Sequence, residues 1–391
     1  MPHKQTDQQW MERALQQAEQ SVGLASPNPA VGCVLVRDDR LVGEGFHAYD
    51  LRDHAEIVAL RQAGPRARGA TAYVTLEPCT HHGRTGPCAD ALMGAGVARV
   101  VVATVDPNPL VQGKGIARLR AAGIEVEAGV LEEPARRLND GFAKFITTSL
   151  PFVTMKVAAT LDGRIAPAQP GAGAPFWITG EQSRAQVHRM RHAADALIAG
   201  VGTILADDPL LTDRSHLPRR RPLLRIVLDS TLRTPLGSQL VKTAQQDVLI
   251  FFSHATVATQ ESLAARGVRL HQIAGHSSTK GIPLPDVLLL LGKMEITSLL
   301  LEGGAQLYAS ALNQNLVDKL TLFYAPRFLG PAAVPMFGST FGSMFGSMEK
   351  QPTIQHYSLK KFGEDFAFEA YLHDPWGGMS PQIEVTNPRV V

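Results

Sequence analysis

The sequence contains few cysteines. It also lacks a strong charge imbalance and long apolar runs. With 3 cysteines in 391 residues, the chain has too few thiols for a disulfide framework, which is typical of a reducing compartment. A net charge of +2 and an aromatic content of 6% argue against a basic, aromatic-lined channel for nucleic acid. No apolar run approaches the roughly 18 residues of a membrane helix, and the polar N-terminus lacks the apolar core of a signal peptide. We therefore expect a cytoplasmic protein that binds neither nucleic acid nor membrane.

The length and the apolar pattern predict two α/β domains. A chain of 391 residues is too long for one ordinary core. Short apolar runs such as 31–36 and 99–103 alternate with helical patterns, and a second alternating series begins at residue 152. We expect a first domain over residues 1–149, a second over residues 150–373, and a flexible tail over residues 374–391, which is rich in proline and glycine.

The sequence predicts where three helices begin. Thr6 with Gln9, and Thr179 with Gln182, have the spacing of a capping box, so we expect a helix to begin after each threonine. The pattern from residue 132 predicts a single helix that runs toward residue 144.

Three segments are predicted to be loops. The run Arg219-Arg220-Arg221 lies between two prolines and is interpreted as a solvated loop, with a contact to a dinucleotide phosphate as the sharper alternative. Residues 166–175 resemble an insertion. Phe-Gly-Ser repeats that begin at residues 337, 341 and 345 are typical of a flexible loop.

His54, Cys79 and Cys88 have the chemistry of a zinc site. One imidazole and two thiolates supply three ligands for a tetrahedral ion and leave the fourth position for water. Water with a lowered pKa is a nucleophile at neutral pH, and Glu56 can transfer its protons. A His-x-Glu pair alone is usually a surface pair, but here two Pro-Cys pairs follow a predicted strand. The combination is the signature of hydrolytic zinc deaminases that act on bases.

Other thiols and imidazoles near this motif have simpler interpretations. Cys33 lies at the start of an apolar strand and is predicted to be a buried structural cysteine. His81 and His82 lie between the ligand cysteines and can in principle bind metal, but the ligand set is complete without them.

The spacing of the cysteines narrows the family. Eight residues separate Cys79 from Cys88, whereas nucleoside and tRNA deaminases of this class usually have two. With NPAVG at 28–32 and DPNPLVQGKG at 106–115, this spacing resembles the bifunctional riboflavin-biosynthesis deaminase/reductases. The resemblance continues through KVAATLDGR at 156–164, LADDPLLT at 205–212 and LEGG at 301–304, and it covers about residues 7–330.

The resemblance implies two consecutive reactions and two folds. A cytidine-deaminase-like three-layer α/β/α domain would use one Zn²⁺ to remove an amino group hydrolytically from 2,5-diamino-6-(5-phosphoribosylamino)pyrimidin-4-one. A dihydrofolate-reductase-like α/β domain would then reduce the ribosyl group to ribityl with NADPH. The implied partner is a small phosphoribosyl-pyrimidine, and we expect a homo-oligomer, either a dimer or a tetramer.

In the deaminase domain the resemblance assigns substrate contacts to Asn28 and His47, and a phosphate contact to Arg84. An arginine suits a phosphate in charge and in fork geometry. The simpler alternatives are a solvated loop arginine for Arg84 and a core or turn histidine for His47.

In the reductase domain no Gly-x-Gly-x-x-Gly follows a strand. The better candidate is Glu302-Gly303-Gly304-Ala305, where cofactor phosphates would meet backbone N–H groups at a helix start, although an ordinary strand-to-helix turn has the same pattern. The resemblance implies that the cofactor is bound by Ala158, Trp177, Thr203, Asp207, Ser230, Gly304, Ala305, Gln306, Leu307, Tyr308, Ala309 and Ser310. It implies that the substrate is bound by Arg191, Leu211, Arg214 and Glu302.

Two details of the reductase stay open. Lys156 or Asp207 would handle the proton that accompanies hydride transfer. Pro175 stands at a family substrate position and has neither a hydroxyl nor a backbone N–H to offer there.

A different class of function is also compatible with the zinc motif. The alternative is a zinc deaminase of a nucleoside or a nucleic-acid base with an appended non-reductase domain. A non-catalytic protein built on an inactive deaminase would lack Glu56 or a ligand, and all four residues are present.

Overall fold

The computed structural model describes residues 6–80, 86–168, 176–273, 281–338, 341, 354 and 356–377. The chain forms two compact units. The first consists of Met1–Ser149 with Pro218–Arg221 and Trp376–Met379, and the second contains the rest of the chain.

Five strands form the sheet of the first unit, in the order β2-β1-β3-β4-β5. They are β1 Gly32–Arg37, β2 Arg40–Phe46, β3 Thr71–Val74, β4 Arg99–Val102 and β5 Glu125–Ala128. β1 pairs antiparallel with both β2 and β3, whereas β3, β4 and β5 are parallel. Strand β2 was not predicted, because two glycines and a mostly half-exposed surface interrupt its apolar alternation.

Helices cover both faces of this sheet. They are α1 Asp7–Glu19, α2 Ala55–Ala63, α3 Cys88–Gly94, α4 Lys114–Ala121, α5 Glu132–Leu138 and α6 Asp140–Thr148, with 3-10 turns at Tyr49–Leu51 and Gly64–Ala67. Val34 and Val101 pack on α1 and α5, whereas Leu35 and Val100 pack on α2, α3 and α4. Because neighbouring strand residues face opposite helical layers, the unit is the predicted three-layer α/β/α domain.

The predicted helix over residues 132–144 is interrupted. Helix α5 ends at Leu138, and α6 starts at Asp140. The side chain of Asn139 between them accepts a hydrogen bond from the Ala30 N–H at 2.7 Å and donates one to the Ala30 carbonyl at 2.9 Å. This backbone-like pairing holds Asn139 out of a continuous helix. At the start of α1, by contrast, the predicted capping box of Thr6 and Gln9 is confirmed.

The second unit is built on a larger sheet, in the order β11-β10-β9-β8-β12-β6-β13-β16-β15. Its strands are β6 Phe152–Thr160, β8 Ala196–Gly200, β9 Leu224–Leu228, β10 Val248–Phe252, β11 Val268–Gln272, β12 Ser298–Leu301, β13 Lys319–Ala325, β15 His356–Phe362 and β16 Asp365–Tyr371. The strands from β11 through β13 in this order are parallel, and the β15–β16 hairpin adds an antiparallel edge. A ribbon of β7 Arg164–Ala166 and β14 Val334–Pro335 lies apart from it.

Two apolar layers enclose the large sheet. The helices are α7 Glu181–Ala193, α8 Val201–Asp207, α9 Gln239–Lys242, α10 Val257–Ala264, α11 Leu284–Lys293 and α12 Ala305–Asn313. Ile198 faces the core with α11 and α12, and Leu197 faces the core with α8, α9 and α10. This arrangement is the predicted α/β class, with helices over both faces of a mainly parallel sheet.

The predicted capping box at Thr179 is wrong. Helix α7 begins at Glu181, and no side chain caps it from the N-cap residue Gly180. Instead, Asp365 from β16 accepts hydrogen bonds from the Gly180 N–H at 2.7 Å and from the Ser183 hydroxyl at 2.6 Å. A distant carboxylate therefore satisfies the helix start, which local spacing does not reveal.

The segments predicted to be loops are described only in part. Trp376, inside the expected flexible tail, is 3% exposed, and its indole N–H donates to Asp140 at 3.0 Å. Residues 378–391 lie outside the described residues, as do 169–175 with Pro175 and most of the Phe-Gly-Ser repeat. The rings of Phe337 and Phe341 stack with centroids 4.3 Å apart.

Among the described helices, none has the length and apolarity needed to cross a membrane.

Candidate metal centre and reductase site

The three predicted zinc ligands come from three different places in the first unit. His54 is the N-cap residue of α2, Cys79 lies in the loop that follows β3, and Cys88 is the first residue of α3. The starts of two helices and the carboxyl end of a strand therefore meet at one point. Chain segments far apart in sequence are brought together because α2 and α3 cover the same face of the sheet.

The ligand atoms are close enough to share one ion. His54 Nδ1 lies 3.1 Å from Cys88 Sγ and 3.6 Å from Cys79 Sγ. All three atoms lie within 4.8 Å of one another. Zinc–sulfur bonds of about 2.3 Å and zinc–nitrogen bonds of about 2.0 Å place tetrahedral ligand atoms roughly 3.5–3.8 Å apart. The donor set and its spacing fit a zinc ion with one open position.

The two thiols differ in their readiness to ionise. Hydrogen bonds from the Cys88 thiol and from His54 lower the pKa of the Cys79 thiol to about 4. The same pairing, together with burial, raises the pKa of Cys88 well above its ordinary value. One thiolate is therefore already favoured, and metal binding would displace the proton of Cys88.

Glu56 lies beside these ligands, in the first turn of α2. Its side chain is buried, and burial raises the pKa of the carboxyl above its usual range. A buried carboxyl next to an open metal position is suited to accepting and returning protons.

Asn28 and His47 are brought together at the same place. The Asn28 side-chain amide lies 3.0 Å from His47 Nε2, and His47 Nδ1 lies 2.9 Å from the Asp53 carbonyl oxygen. Because a carbonyl only accepts, Nδ1 carries the proton and Nε2 accepts from the amide. The rings of His47 and His54 meet edge to face, with centroids 5.3 Å apart. Arg84, His81 and His82 lie outside the described residues.

Glu77 is a structural residue that the sequence motifs did not indicate. Its buried carboxylate accepts hydrogen bonds from the backbone N–H groups of Asp106, Gly113, Gly115 and Ile116. Glu77 thereby binds the DPNPLVQGKG segment to the chain two residues before the zinc ligand Cys79. Burial raises the pKa of Asp106 in this segment to about 7. The sequence does offer one indication of a buried role for Glu77, because Glu77-Pro78-Cys79 directly follows a predicted apolar strand.

Cys33 takes no part in the metal centre. It is buried in β1 on the face covered by α2, and burial raises the pKa of its thiol. This placement is that of the predicted structural cysteine.

The residues of the second unit gather at the carboxyl ends of adjacent parallel strands. In the sheet order β9-β8-β12-β6, Ser230 follows β9, Thr203 and Asp207 follow β8, Gly304 follows β12, and Ala158 lies near the end of β6. Parallel α/β sheets bind ligands at this edge. Burial raises the pKa of Asp207.

The start of α12 is crowded at Gly303 but not at Gly304. A Cβ on Gly303 would meet Leu307 Cδ2 at 2.8 Å, and one on Gly304 would lie 3.9 Å from Thr203 Oγ1. The helix start is therefore close to Thr203. Within the predicted cofactor segment, Tyr308 and Ala309 are buried in the core, and the Tyr308 hydroxyl donates to the Lys156 carbonyl.

Glu302 is the centre of a buried ion-pair cluster. Arg191 binds it through two hydrogen bonds of 2.7 and 2.9 Å, and Lys156 Nζ lies 3.2 Å from it. Burial opposes ionisation of Glu302, but the charges of Lys156 and Arg191 outweigh it and lower the pKa to about 2. Arg191 from α7, Lys156 from β6 and Glu302, which directly follows β12, thus form one buried charged cluster at the carboxyl end of β12.

The other predicted reductase residues flank this cluster. Arg191 Nη1 also donates to the Thr212 carbonyl at 3.0 Å, next to the buried Leu211. Arg214 is exposed, and its backbone N–H donates a hydrogen bond to the His188 ring. Trp177 is largely exposed, and its ring lies 5.1 Å from the Arg184 guanidinium carbon.

Comparisons with known proteins agree with this geometry. The cytidine and deoxycytidylate deaminase zinc-binding region matches residues 4–104, and the RibD C-terminal domain matches residues 151–368. The riboflavin biosynthesis protein RibD of Aquifex aeolicus is 42% identical over 327 residues, which are 84% of this chain and 89% of that protein.

Two solved structures extend the comparison to the fold. Acinetobacter baumannii RibD is similar with a TM-score of 0.78 and 40% identity, over 93% of this chain and 98% of that chain. The diaminohydroxyphosphoribosylaminopyrimidine deaminase/5-amino-6-(5-phosphoribosylamino)uracil reductase of Thermotoga maritima has a TM-score of 0.75 and 32% identity over the same shares. The appended non-reductase domain of the alternative interpretation is thus wrong, because the second half matches the reductase family. The chain belongs to the RibD family of bifunctional riboflavin-biosynthesis deaminase/reductases, with a zinc site at His54, Cys79 and Cys88 and a reductase of the NADPH-dependent type.

Proposed function

We propose that the chain carries out both reactions named for its Thermotoga relative. The first unit deaminates 2,5-diamino-6-(5-phosphoribosylamino)pyrimidin-4-one hydrolytically, and the second reduces the ribosyl group of the product to ribityl with NADPH. The observation that carries the proposal is the convergence of His54, Cys79 and Cys88 around buried Glu56, in a chain whose second half has a charged cluster at the strand ends.

In the deaminase, His54, Cys79 and Cys88 would hold the zinc ion, which when bound lowers the pKa of water and makes it a nucleophile. Glu56 accepts one proton of the attacking water at its carboxylate and delivers it to the ring nitrogen. It then accepts the second proton, from the new hydroxyl group, and delivers it to the departing ammonia. The raised pKa of Glu56 suits both halves of this transfer, because the group must hold the proton between them. The hydroxyl oxygen ends on the pyrimidine carbon, and the amino group leaves as ammonia.

Asn28 and His47 would position the pyrimidine. The His47 ring is fixed by the Asp53 carbonyl at one nitrogen and by Asn28 at the other. The Asn28 amide, held by His47, would bind the substrate through its other hydrogen-bonding groups. Arg84 would bind the phosphate of the same molecule.

In the reductase, the hydride comes from the nicotinamide and the protein orients it. The cofactor would lie along the strand ends near Ala158, Thr203, Asp207 and Ser230, with Trp177 at its edge. Its phosphates would meet the backbone at the start of α12, in the Gly304 to Ser310 segment.

The substrate phosphoribosyl group would lie against Arg191, Leu211, Arg214 and Glu302. Lys156 and Asp207 are the two candidate proton donors for this step. Lys156 Nζ lies 3.2 Å from Glu302, and burial raises the pKa of the Asp207 carboxyl above its usual range.

The proposal extends to organisation and location. Residues 1–149 form the deaminase domain and residues 150–373 the reductase domain, except that Pro218–Arg221 and Trp376 belong to the first unit, and the remainder of residues 374–391 forms a tail. The protein is cytoplasmic and forms a homo-oligomer. Supporting the last point, the sheet-edge strand β15 exposes Tyr357 and Leu359. Light scattering coupled to gel filtration measures the mass, and a monomer at micromolar concentration would contradict this part.

Two assays test the catalytic proposal. Zinc-loaded protein is expected to release ammonia from the diaminopyrimidine ribotide, and then to oxidise NADPH when given the deaminated product. Absence of ammonia would refute the deaminase assignment. Absence of NADPH consumption would independently refute the reductase assignment.

A further inference from the structure

The segment Pro218–Arg221 belongs to the first unit, although the chain around it belongs to the second. The sequence predicts a solvated loop here, with a dinucleotide contact as the alternative, but the side chain of Arg220 is largely removed from solvent. Its side chain is 20% exposed and lies within hydrogen-bonding distance of several groups of the first unit. Such a placement requires a specific partner surface.

One part of that surface is the backbone before Asn28. The Arg220 N–H donates to the Gly23 carbonyl at 2.9 Å, and its Nη1 donates to the Ser26 carbonyl at 2.9 Å. Arg221 adds a contact of 3.3 Å from Nη2 to the Ser26 hydroxyl. The segment 23–26 is therefore tied down two residues before a predicted substrate contact.

The other part is the 3-10 turn Tyr49–Leu51. Arg220 Nε lies 3.0 Å from Asp50 Oδ1, and its guanidinium carbon lies 3.8 Å from the centroid of the Tyr49 ring. Cation–π and ion-pair contacts thus act on the same guanidinium. This turn lies between His47 and the ligand His54.

The two segments are also joined directly. The Tyr49 N–H donates to the Leu24 carbonyl at 3.1 Å, and the Asn28 side chain pairs with His47. Arg220 thus contacts both of the segments next to the Asn28–His47 pair, residues 23–26 and the turn 49–51.

We propose that Arg220 is a positioning residue of the deaminase, which acts through Ser26, Tyr49 and Asp50 to hold Asn28 and His47 in the geometry that binds the pyrimidine. This rests on the proposed function of the first unit. A residue from within the reductase sequence thereby supports the deaminase pocket from outside it, and the effect of its loss falls on substrate binding rather than on the metal.

The test uses the full-length, zinc-loaded chain with Arg220→Ala and Arg220→Lys. A matched control is Arg13→Ala, which removes a doubly hydrogen-bonded ion pair with Glu44 from another surface of the same unit. We expect Arg220→Ala to raise the KM for ammonia release about tenfold, with kcat changed by less than about threefold. Arg220→Lys keeps the charge beside Asp50 but loses the fork, so its KM lies between those of wild type and Arg220→Ala.

Three further readouts separate positioning from damage. Zinc content and NADPH-dependent reduction stay at wild-type values in Arg220→Ala, while amide hydrogen exchange rises in peptides that cover residues 23–28 and 47–53. A KM no higher than that of Arg13→Ala, or a loss of zinc or of both activities together, would overturn the proposal. If wild type releases no ammonia, the proposed substrate is wrong, and unchanged exchange in both peptides would still refute the positioning role.

Discussion

The carboxylate of Glu77 caps the helix that contains Gly115. Glu77 Oε1 accepts from the Gly115 N–H at 2.8 Å and from the Ile116 N–H at 3.1 Å, while Oε2 accepts from Gly113 at 2.8 Å and from Asp106 at 3.2 Å. A negative group at a helix start is favoured by the helix dipole and by the unpaired N–H groups there. Because Cys79 lies two residues after Glu77, the cap also fixes the approach of a zinc ligand.

Replacement of Glu77 by glutamine should destabilise the first unit. The amide presents an N–H₂ group to backbone donors, so buried N–H groups lose their acceptor, at a cost of about 2–3 kcal/mol. Thermal unfolding followed by circular dichroism measures the loss. Glu125→Gln, at an exposed ion pair with Arg99, serves as the control and should shift the midpoint far less. Equal midpoints for the two variants would contradict the assignment.

Gly115→Ala should destabilise the same unit for a steric reason. A Cβ at this position would lie 2.0 Å from the Pro78 carbonyl oxygen, so the backbone before Cys79 must move. Overpacking of this kind costs about 1–3 kcal/mol. Gly94→Ala, at a helix residue with open space around its Cβ position, is the matched control. Urea unfolding of both variants, with zinc content determined in parallel, distinguishes them, and a neutral Gly115→Ala would refute the close approach.

Glu56→Ala should abolish ammonia release and leave zinc content and NADPH-dependent reduction unchanged. The buried carboxylate transfers protons and is not among the three ligand side chains. We expect a fall of at least about a hundredfold in kcat, the usual range for loss of a general acid–base group. Metal analysis and a coupled assay give the answer. Parallel loss of both activities would show that the two halves are not independent.

The stability of the second unit should depend on pH through Glu302. Its pKa is about 2 in the folded chain and 4.5 when unperturbed, so the charged form favours the folded state. This contribution is fully present above pH 4.5 and is lost as the pH falls toward 2, and it amounts to about 3 kcal/mol.

Chemical unfolding of wild type and Glu302→Gln between pH 5.5 and about 2.5 measures this term. The difference in unfolding free energy between the two proteins should shrink as the pH falls. A constant difference across that range would mean that Glu302 does not ionise as described.

The zinc ligands were predictable because each carries its own local signature. His54-Ala55-Glu56 and the two Pro-Cys pairs specify the chemistry without any knowledge of the fold. The resemblance implied a substrate contact for Asn28 and for His47 but not the hydrogen bond between them, because no spacing rule joins residues 19 positions apart. Most parallel strands were predictable from their apolar runs, whereas the half-exposed β2 and the mostly exposed β11 and β15 have no such pattern.

Long-range polar contacts account for the remaining differences. Asp365 replaces the local cap expected from Thr179, and Asn139 breaks a helix by pairing with Ala30. The Glu302 cluster joins residues 111 and 146 positions apart in the chain. Such partners are chosen by the tertiary structure, so the sequence predicts the helices and strands better than what satisfies their ends.

The burial of Trp376 has a consequence for how the protein is made. Its ring belongs to the apolar core between the first sheet and helices α2, α3 and α4, and it bonds Asp140. Translation delivers residues 1–149 more than 220 residues before Trp376. The deaminase core therefore stays incomplete until residues 150–373 of the reductase have been synthesised.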